Sequence, residues 1–320
     1  MVIEGAIDKF GSFVKERFPR FVTVKQPSPQ FRDQFLTQLE AGGLPIGIGF
    51  HFSHVEGLIA TEACVPLLEM ARQAGLEDRL PRFMIPVAAS MRAGHQGIFL
   101  KHIYPHMSAY SEDRGLDYVE VVREKDESKF GMKWTRKLLV NYINHLKSPR
   151  GIVLLPEASV DAGRHVGWWF NDNIKGVRKL HNDSILRICI DSEKFSNRKP
   201  FFFFIIYQGA YHLYSPDSKL PTPEGLVGLS DRVYHQAERY GYQLPVVEAS
   251  LEGPILTGEE LGLGNYRQIK ALKGDDYTAM SDVLNDTIMR KGVVHLREDY
   301  RGVYREQPVV SDLVLDEVTI

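Results

Sequence analysis

Short apolar runs that alternate with longer stretches of helical period constrain this chain more than any other feature of its sequence. Residues 44–50, 82–88, 118–122, 151–155 and 201–207 each read as a strand rich in β-favouring side chains. The apolar run at 97–100 reads as one more. Between them, residues 56–75 carry Leu58, Ile59, Ala63, Leu67 and Met70 on one helical face, and 129–147 has helical period as well. A strand apolar along its whole length has no side to turn to water, so helices must cover both faces of its sheet. The expected fold is therefore α/β, a mainly parallel central sheet flanked by helices.

The flanking regions are read from caps and breakers. Ile3, Ile7, Phe10, Phe13, Val14 and Phe18 stand near helical spacing and Pro19 ends the pattern, which predicts a helix over 1–18 that packs on the protein or lies on a membrane. A second helix should start at Ser28-Pro29, with serine as cap and proline in the first turn, and stop at Gly42-Gly43. After Tyr214, a loop with Pro216, Pro221 and Pro223 sets off the last third of the chain. There the spacing predicts a helix near 226–240, a short strand at 244–247 and a helix near 277–290. The expected organisation is an N-terminal helical segment (1–43), a catalytic α/β unit (44–220) and a C-terminal extension or small subdomain (221–320).

Composition narrows the class. The chain has 320 residues, 43% hydrophobic and 25% charged, enough for a sizeable core and unlike a disordered chain. Its two cysteines, Cys64 and Cys189, are too few for a disulfide framework and read as buried thiols of a reducing compartment. Glu4 and Asp8 stand where a signal peptide would be basic, and no run is long enough to span a bilayer. The expected location is cytoplasmic, with peripheral contact on the inner membrane face. A net charge of −2 argues against a nucleic-acid binder. Residues 101–200 hold 18 basic and 13 acidic side chains, while 221–320 hold 10 and 17, so an anionic ligand suits the middle of the chain.

Two stretches could do chemistry. In Gly49-Phe50-His51-Phe52-Ser53-His54-Val55-Glu56 an apolar strand gives way to a helix. Polar groups there emerge at the carboxyl end of a strand, where open α/β sheets place ligands. The spacing from His51 to Glu56 lets a carboxylate fix the tautomer of an imidazole, whose other nitrogen can take a proton from a hydroxyl. A histidine pair that only caps the helix is the plainer alternative. In Gly151-Ile152-Val153-Leu154-Leu155-Pro156-Glu157-Ala158-Ser159 a second buried strand ends in Pro-Glu and small residues. Those small residues let backbone approach a ligand closely.

Together the two stretches resemble the glycerolipid acyltransferase superfamily, which acylates glycerol 3-phosphate and lysophosphatidate. His51-Phe52-Ser53-His54-Val55-Glu56 is similar to that family's Asn-His-x-Ser-x-x-Asp block, and Leu155-Pro156-Glu157-Ala158-Ser159-Val160-Asp161 to its Phe-Pro-Glu-Gly-Thr-Arg-Ser block. Between them Gly97-Ile98-Phe99-Leu100-Lys101-His102 is similar to a Gly-x-Ile-Phe-Ile-x-Arg block, and downstream Ile174-Lys175-Gly176-Val177 to a Phe-Lys-x-Gly element. The strand holding Phe204-Ile205-Ile206-Tyr207 sits where the last block is expected. The match runs over about residues 44–216.

The resemblance implies His51 as general base and Glu56 as its orienting carboxylate. It implies an acceptor site drawn from Ser53, Lys101, His102, Glu157, Ala158, Ser159, Arg164 and Lys175, with acyl-coenzyme A or acyl carrier protein as co-substrate and no metal or other cofactor. The sequence departs from the pattern where Phe50 replaces asparagine and Glu56 replaces aspartate. His102 and Val160 stand at the two phosphate-binding arginine positions, where neither supplies a guanidinium fork. Either Arg164, Lys175, Arg178 and Lys179, or Lys101 or Arg92, substitute for them from nearby, or the acceptor has no phosphate. Two other readings stay open: a metal-dependent hydrolase using His51, His54 and Glu56, and an inactive relative that only binds acyl chains or lipid.

Overall fold

The computed structural model describes residues 8, 11–20, 22–50, 56–89, 98–122, 130–155, 183–208, 247–296 and 301. The elements in chain order are β1 (Val22–Val24), α1 (Pro29–Glu40), β2 (Leu44–Gly49), α2 (Glu56–Gln73), β3 (Phe83–Ala88), α3 (Ile98–Glu112), β4 (Leu116–Val121), α4 (Met132–Lys147), β5 (Gly151–Leu154), α5 (Ser184–Ser196), β6 (Pro200–Gln208), β7 (Val247–Thr257), α6 (Tyr266–Ala271) and α7 (Asp275–Val293). The strands form one sheet in the order β1-β7-β6-β2-β5-β3-β4. Strands β6, β2, β5, β3 and β4 run parallel, whereas β7 is antiparallel to β6 and carries β1 parallel to itself. The fold is α/β with a mostly parallel seven-stranded sheet, as the apolar runs predict.

Its central strands are buried on both faces. All four phenylalanines Phe201–Phe204 of β6 are in the core, and alternation sends them to opposite sides. Phe203 meets Phe31 and Phe35 of α1 edge-on, at ring separations of 6.1 and 5.7 Å. Phe204, on the opposite face, packs against Gly292 of α7. Helices α1, α2 and α3 share the first face. Tyr118 of β4 joins α2 to α3 there, its ring 5.7 Å from that of Tyr104 and its hydroxyl against Gly57. Helices α4, α5, α6 and α7 are on the second face, where α5 packs against the other three.

Local chemistry explains the boundaries. Ser28 caps α1, the Phe31 N–H donating to Ser28 Oγ at 3.1 Å, and Pro29 opens the helix as expected. Helix α2 runs Glu56–Gln73, close to the expected 56–75. Residues 13–20 form a π turn followed by a 3₁₀ turn, with Val14 and Phe18 in the core and Phe18 edge-on to Tyr110. Cys64 and Cys189 are free and buried, and burial pushes both thiols far up.

Several elements differ from the sequence reading, β1 (Val22–Val24) and α6 (Tyr266–Ala271) among them as elements it did not foresee. The run at 97–100 is not a strand: Ile98, Phe99 and Leu100 form the first turn of α3. Four apolar residues fit either period, and the downstream burial of Tyr104, Met107, Tyr110 and Ser111 is helical. Of the strand expected at 244–247, Val247 is described and is strand, and β7 runs on from it to Thr257, ten residues beyond the expected end. Gly253-Pro254 looks like its end, but falls at the irregularity between Phe202 and Phe204 in the β6 register, where a strand tolerates proline. Helix α5 was not foreseen, because Ile185, Leu186, Ile188, Cys189 and Ile190 read as an apolar run of mixed period. The helix expected near 226–240 lies outside the described residues.

Candidate functional site

The two motif-bearing strands are neighbours at the centre of the sheet. Strands β2 and β5 pair in parallel with Ile46 opposite Ile152, Gly47 opposite Val153 and Ile48 opposite Leu154. In sequence His51 follows Ile48, and Glu157 follows Leu154, by the same interval, and the two strands end at the same edge of the sheet. From that edge the chain goes from β2 to α2 on the first face and from β5 to α5 on the second. Adjacent parallel strands whose connections part to opposite faces make a topological switch point, where open α/β sheets hold ligands.

The floor of this crevice is close-packed. Gly49, the last residue of β2, faces Leu155 and Tyr207. A Cβ built on it would stand 2.8 Å from Leu155 Cδ2 and 3.4 Å from Tyr207 Cε1. Phe50, at the position where the resemblance leads one to expect asparagine, is 1% exposed. Its ring reaches the second face, where a Cβ on Gly292 would come within 2.9 Å of Phe50 Cζ and 2.7 Å of Phe204 Cδ1. The residue before His51 is thus a core residue held between β6 and the end of α7.

Glu56 opens α2, so its backbone is fixed at the carboxyl edge of the sheet, at the positive end of a helix macrodipole. The first turn is anchored from within: Thr61 Oγ1 donates to the Gly57 carbonyl at 2.7 Å and lies 2.8 Å from Ser111 Oγ of α3. Tyr118 closes the same turn. Its hydroxyl is enclosed against Gly57, and burial pushes the phenol well above its ordinary range. The sequence reading did not single out Thr61, Ser111 or Tyr118. The hydroxyl of Thr61, on the apolar face of a helix one turn after Glu56, was the available signal.

Lys101 and His102 stand near the amino end of α3, which starts from the same edge after β3, and the His102 side chain is exposed. His51, Ser53, Glu157, Ala158, Ser159, Arg164 and Lys175 lie outside the described residues, as do His54, Arg92, Val160, Arg178 and Lys179. Among the described residues, no group of histidine, cysteine and acidic side chains could hold a metal ion. No helix among them is long and apolar enough to cross a membrane.

The opposite edge of the sheet accounts for part of the basic surplus. Arg82 reaches Asp117 at 2.7 Å, Arg150 reaches it at 2.8 Å, and Arg198 donates to the Arg150 carbonyl at 3.1 Å and to the Gly42 carbonyl at 3.4 Å. Arg79 holds the carbonyls of Leu39 and Glu40. Burial and the charge of Arg79 bring the Arg198 guanidinium down to about 10. These cations tie strand starts together, on the side of the sheet away from the two motifs. Compared with models of known protein families and with curated proteins, the sequence matches none.

Proposed function

We propose that this chain moves a fatty acyl group from acyl-coenzyme A or acyl carrier protein to a hydroxyl of glycerol 3-phosphate, lysophosphatidate or a related acceptor, as in phospholipid synthesis. One observation carries the reading: the two strands that lead into the His51–Glu56 and Glu157–Ser159 stretches are hydrogen-bonded neighbours whose chains part to opposite faces. That topology makes neighbours of the two strands after which the motifs stand in sequence, which supports a shared site.

In this reading the His51 imidazole takes the proton of the acceptor hydroxyl while Glu56 orients and charge-stabilises it. The acceptor oxygen attacks the thioester carbonyl. The tetrahedral adduct collapses to the ester and expels the thiolate, which regains the proton from the imidazolium. Backbone N–H groups in the Glu157-Ala158-Ser159 stretch steady the oxyanion or the acceptor. Lys101, His102, Arg164 and Lys175 supply acceptor contacts, and Ser53 lies between base and carboxylate in sequence. The enzyme would work in the cytoplasm, peripherally on the inner face of the membrane.

The test is thiol release from acyl-coenzyme A and acyl carrier protein thioesters, scanned over glycerol 3-phosphate, lysophosphatidate and unphosphorylated alcohols. Acceptor-dependent release with ester formation is expected, unaffected by chelators, and lost by at least about a hundredfold in His51→Ala. Release that needs no acceptor and stops with chelator would make the protein a metal-dependent hydrolase instead. Acyl-thioester binding with no release for any acceptor would make it a binding protein.

A further inference from the structure

Helix α4 combines two properties that a solvent-facing helix rarely has together. Of the five large hydrophobic side chains that stand out as exposed among the described residues, four are on it: Met132 (91% exposed), Leu139 (54%), Trp134 (50%) and Val140 (50%). Its inner side is ordinary, with Leu138, Tyr142 and Leu146 buried one turn apart toward β4 and α5. At about 100° per residue, Met132, Arg136, Leu139, Val140 and Lys147 form one outward stripe, with the partly buried Ile143 packed against the core beneath it. Trp134 stands on the other flank, its indole stacked on Phe130 with centroids 6.1 Å apart.

The second property is charge. From Phe130 to Arg150 the chain carries Lys133, Arg136, Lys137, Lys147 and Arg150 and not one aspartate or glutamate. Arg150 is engaged with Asp117, but Lys133, Arg136, Lys137 and Lys147 are exposed. Three of them crowd the amino half of the helix, where the macrodipole disfavours cations, and Lys133 and Lys137 form a like-charge pair one turn apart. Gly131 offers no side-chain cap to compensate. Helix stability does not explain this placement.

We infer that α4 docks on an anionic phospholipid surface. The exposed apolar side chains are interleaved with the cations rather than gathered into a patch of their own. This suits a bilayer interface, where apolar groups enter the acyl boundary while lysine and arginine stems extend to the phosphates. Trp134, on the other flank, adds a half-exposed amphipathic ring of the kind found at bilayer interfaces. The amino end of α4 follows β4, so Met132 and Trp134 stand toward the edge of the sheet from which the two motifs depart. The inference rests on α4 alone and would survive a different activity.

The test is co-sedimentation of the full chain with phosphatidylglycerol/phosphatidylcholine vesicles and with phosphatidylcholine alone, each with its circular dichroism melt. Binding is expected only to the anionic vesicles, and it should weaken with salt. The triple variant Lys133→Gln/Arg136→Gln/Lys137→Gln should lose about a hundredfold in partitioning. Met132→Ser/Leu139→Ser should lose at least about tenfold, with both variants still folded. In a Trp168→Phe/Trp169→Phe background, Trp134 emission should shift to the blue only when anionic vesicles are added. Three results would overturn the inference. One is anionic binding unchanged in both variants. Another is no vesicle binding by the folded wild type, as a protein partner for this face would give. The third is a dimer that the variants dissociate.

Discussion

Thr61 Oγ1 and Ser111 Oγ lie 2.8 Å apart with both side chains fully buried, and this contact joins the first turn of α2 to the last turn of α3. Thr61 also donates to the Gly57 carbonyl, so one hydroxyl links the turn that Glu56 opens to a neighbouring helix. Removing one partner strands the other away from water. Thr61→Val should lower stability by about 1–3 kcal/mol. The double variant Thr61→Val/Ser111→Ala should be less unstable than the sum of the singles, because neither member of the pair then leaves the other's hydroxyl without its partner. Urea denaturation of the four proteins measures both quantities, and simple additivity would remove the contact from the account.

Gly292 is the point at which α7 meets the end of β2. A Cβ there would stand 2.7 Å from Phe204 Cδ1 and 2.9 Å from Phe50 Cζ, closer than packed atoms allow. Both rings are buried, so neither can swing into solvent. Gly292→Ala should therefore destabilise the fold by about 1–3 kcal/mol despite alanine's better helix propensity. Shrinking the obstructing ring should relieve part of this, so Gly292→Ala/Phe50→Leu should be more stable than the two single effects predict. Thermal melts of the cycle decide the matter.

How much of this was legible in the sequence follows from what each signal depends on. Strands β2, β5 and β6 and helices α2 and α4 were legible because a run buried on both faces, or an apolar stripe of helical period, is a property of a few consecutive residues. The start of α1 was legible because Ser28-Pro29 satisfies a helix end with its own side chain and ring. The first turn of α3 was not, since Ile98–Leu100 is too short to show a period. Nor was β7, whose Gly253-Pro254 pair reads as a stop until β6 supplies an irregular register opposite it. For the candidate site, the sequence gives the residue types after β2 and β5 but not that the two strands are neighbours. Adjacency is a property of the whole sheet. The basic surplus was ambiguous for a similar reason, because the middle third also contains Arg150 and Arg198, which hold the far edge of the sheet together.

Asp117 is shared between Arg82 and Arg150, and Arg150 Nη1 is also 2.6 Å from His145 Nδ1. Asp117→Asn would leave two guanidinium groups beside a neutral amide, at a loss of about 2–3 kcal/mol. The same cluster sets a pH dependence. Burial first, and the charge of Arg150 next, hold His145 below the ordinary imidazole value, against a smaller opposing pull from Asp117. The folded chain therefore resists a proton that the unfolded chain accepts. Stability is unaffected by this group well above pH 6.5 and declines as pH falls through about 6.5. His145→Gln should flatten that decline between pH 7 and pH 5 in urea titrations, and an unchanged slope would place the acid sensitivity elsewhere.

Glu56 is one methylene longer than the aspartate of the family that the His51–Glu56 stretch resembles, and the fold supplies a reason to test the difference directly. Its backbone is set by the first turn of α2, which Thr61 and Ser111 anchor, while the other end of the intervening turn is set by Phe50 in the core. With Phe50 packed in the core and the backbone of Glu56 fixed at the start of α2, a carboxylate one methylene shorter starts from the same place and reaches less far. Glu56→Asp should therefore behave as a loss, not as a return to a better residue. In the thiol-release assay, Glu56→Gln should lower kcat by about 10²–10⁴ through loss of the orienting charge. Glu56→Asp should fall between Glu56→Gln and the wild type, with KM nearly unchanged in both. A Glu56→Asp variant faster than the wild type would mean that the turn adapts. A Glu56→Gln variant at full rate would remove Glu56 from the mechanism and leave it as the acidic first residue of a helix.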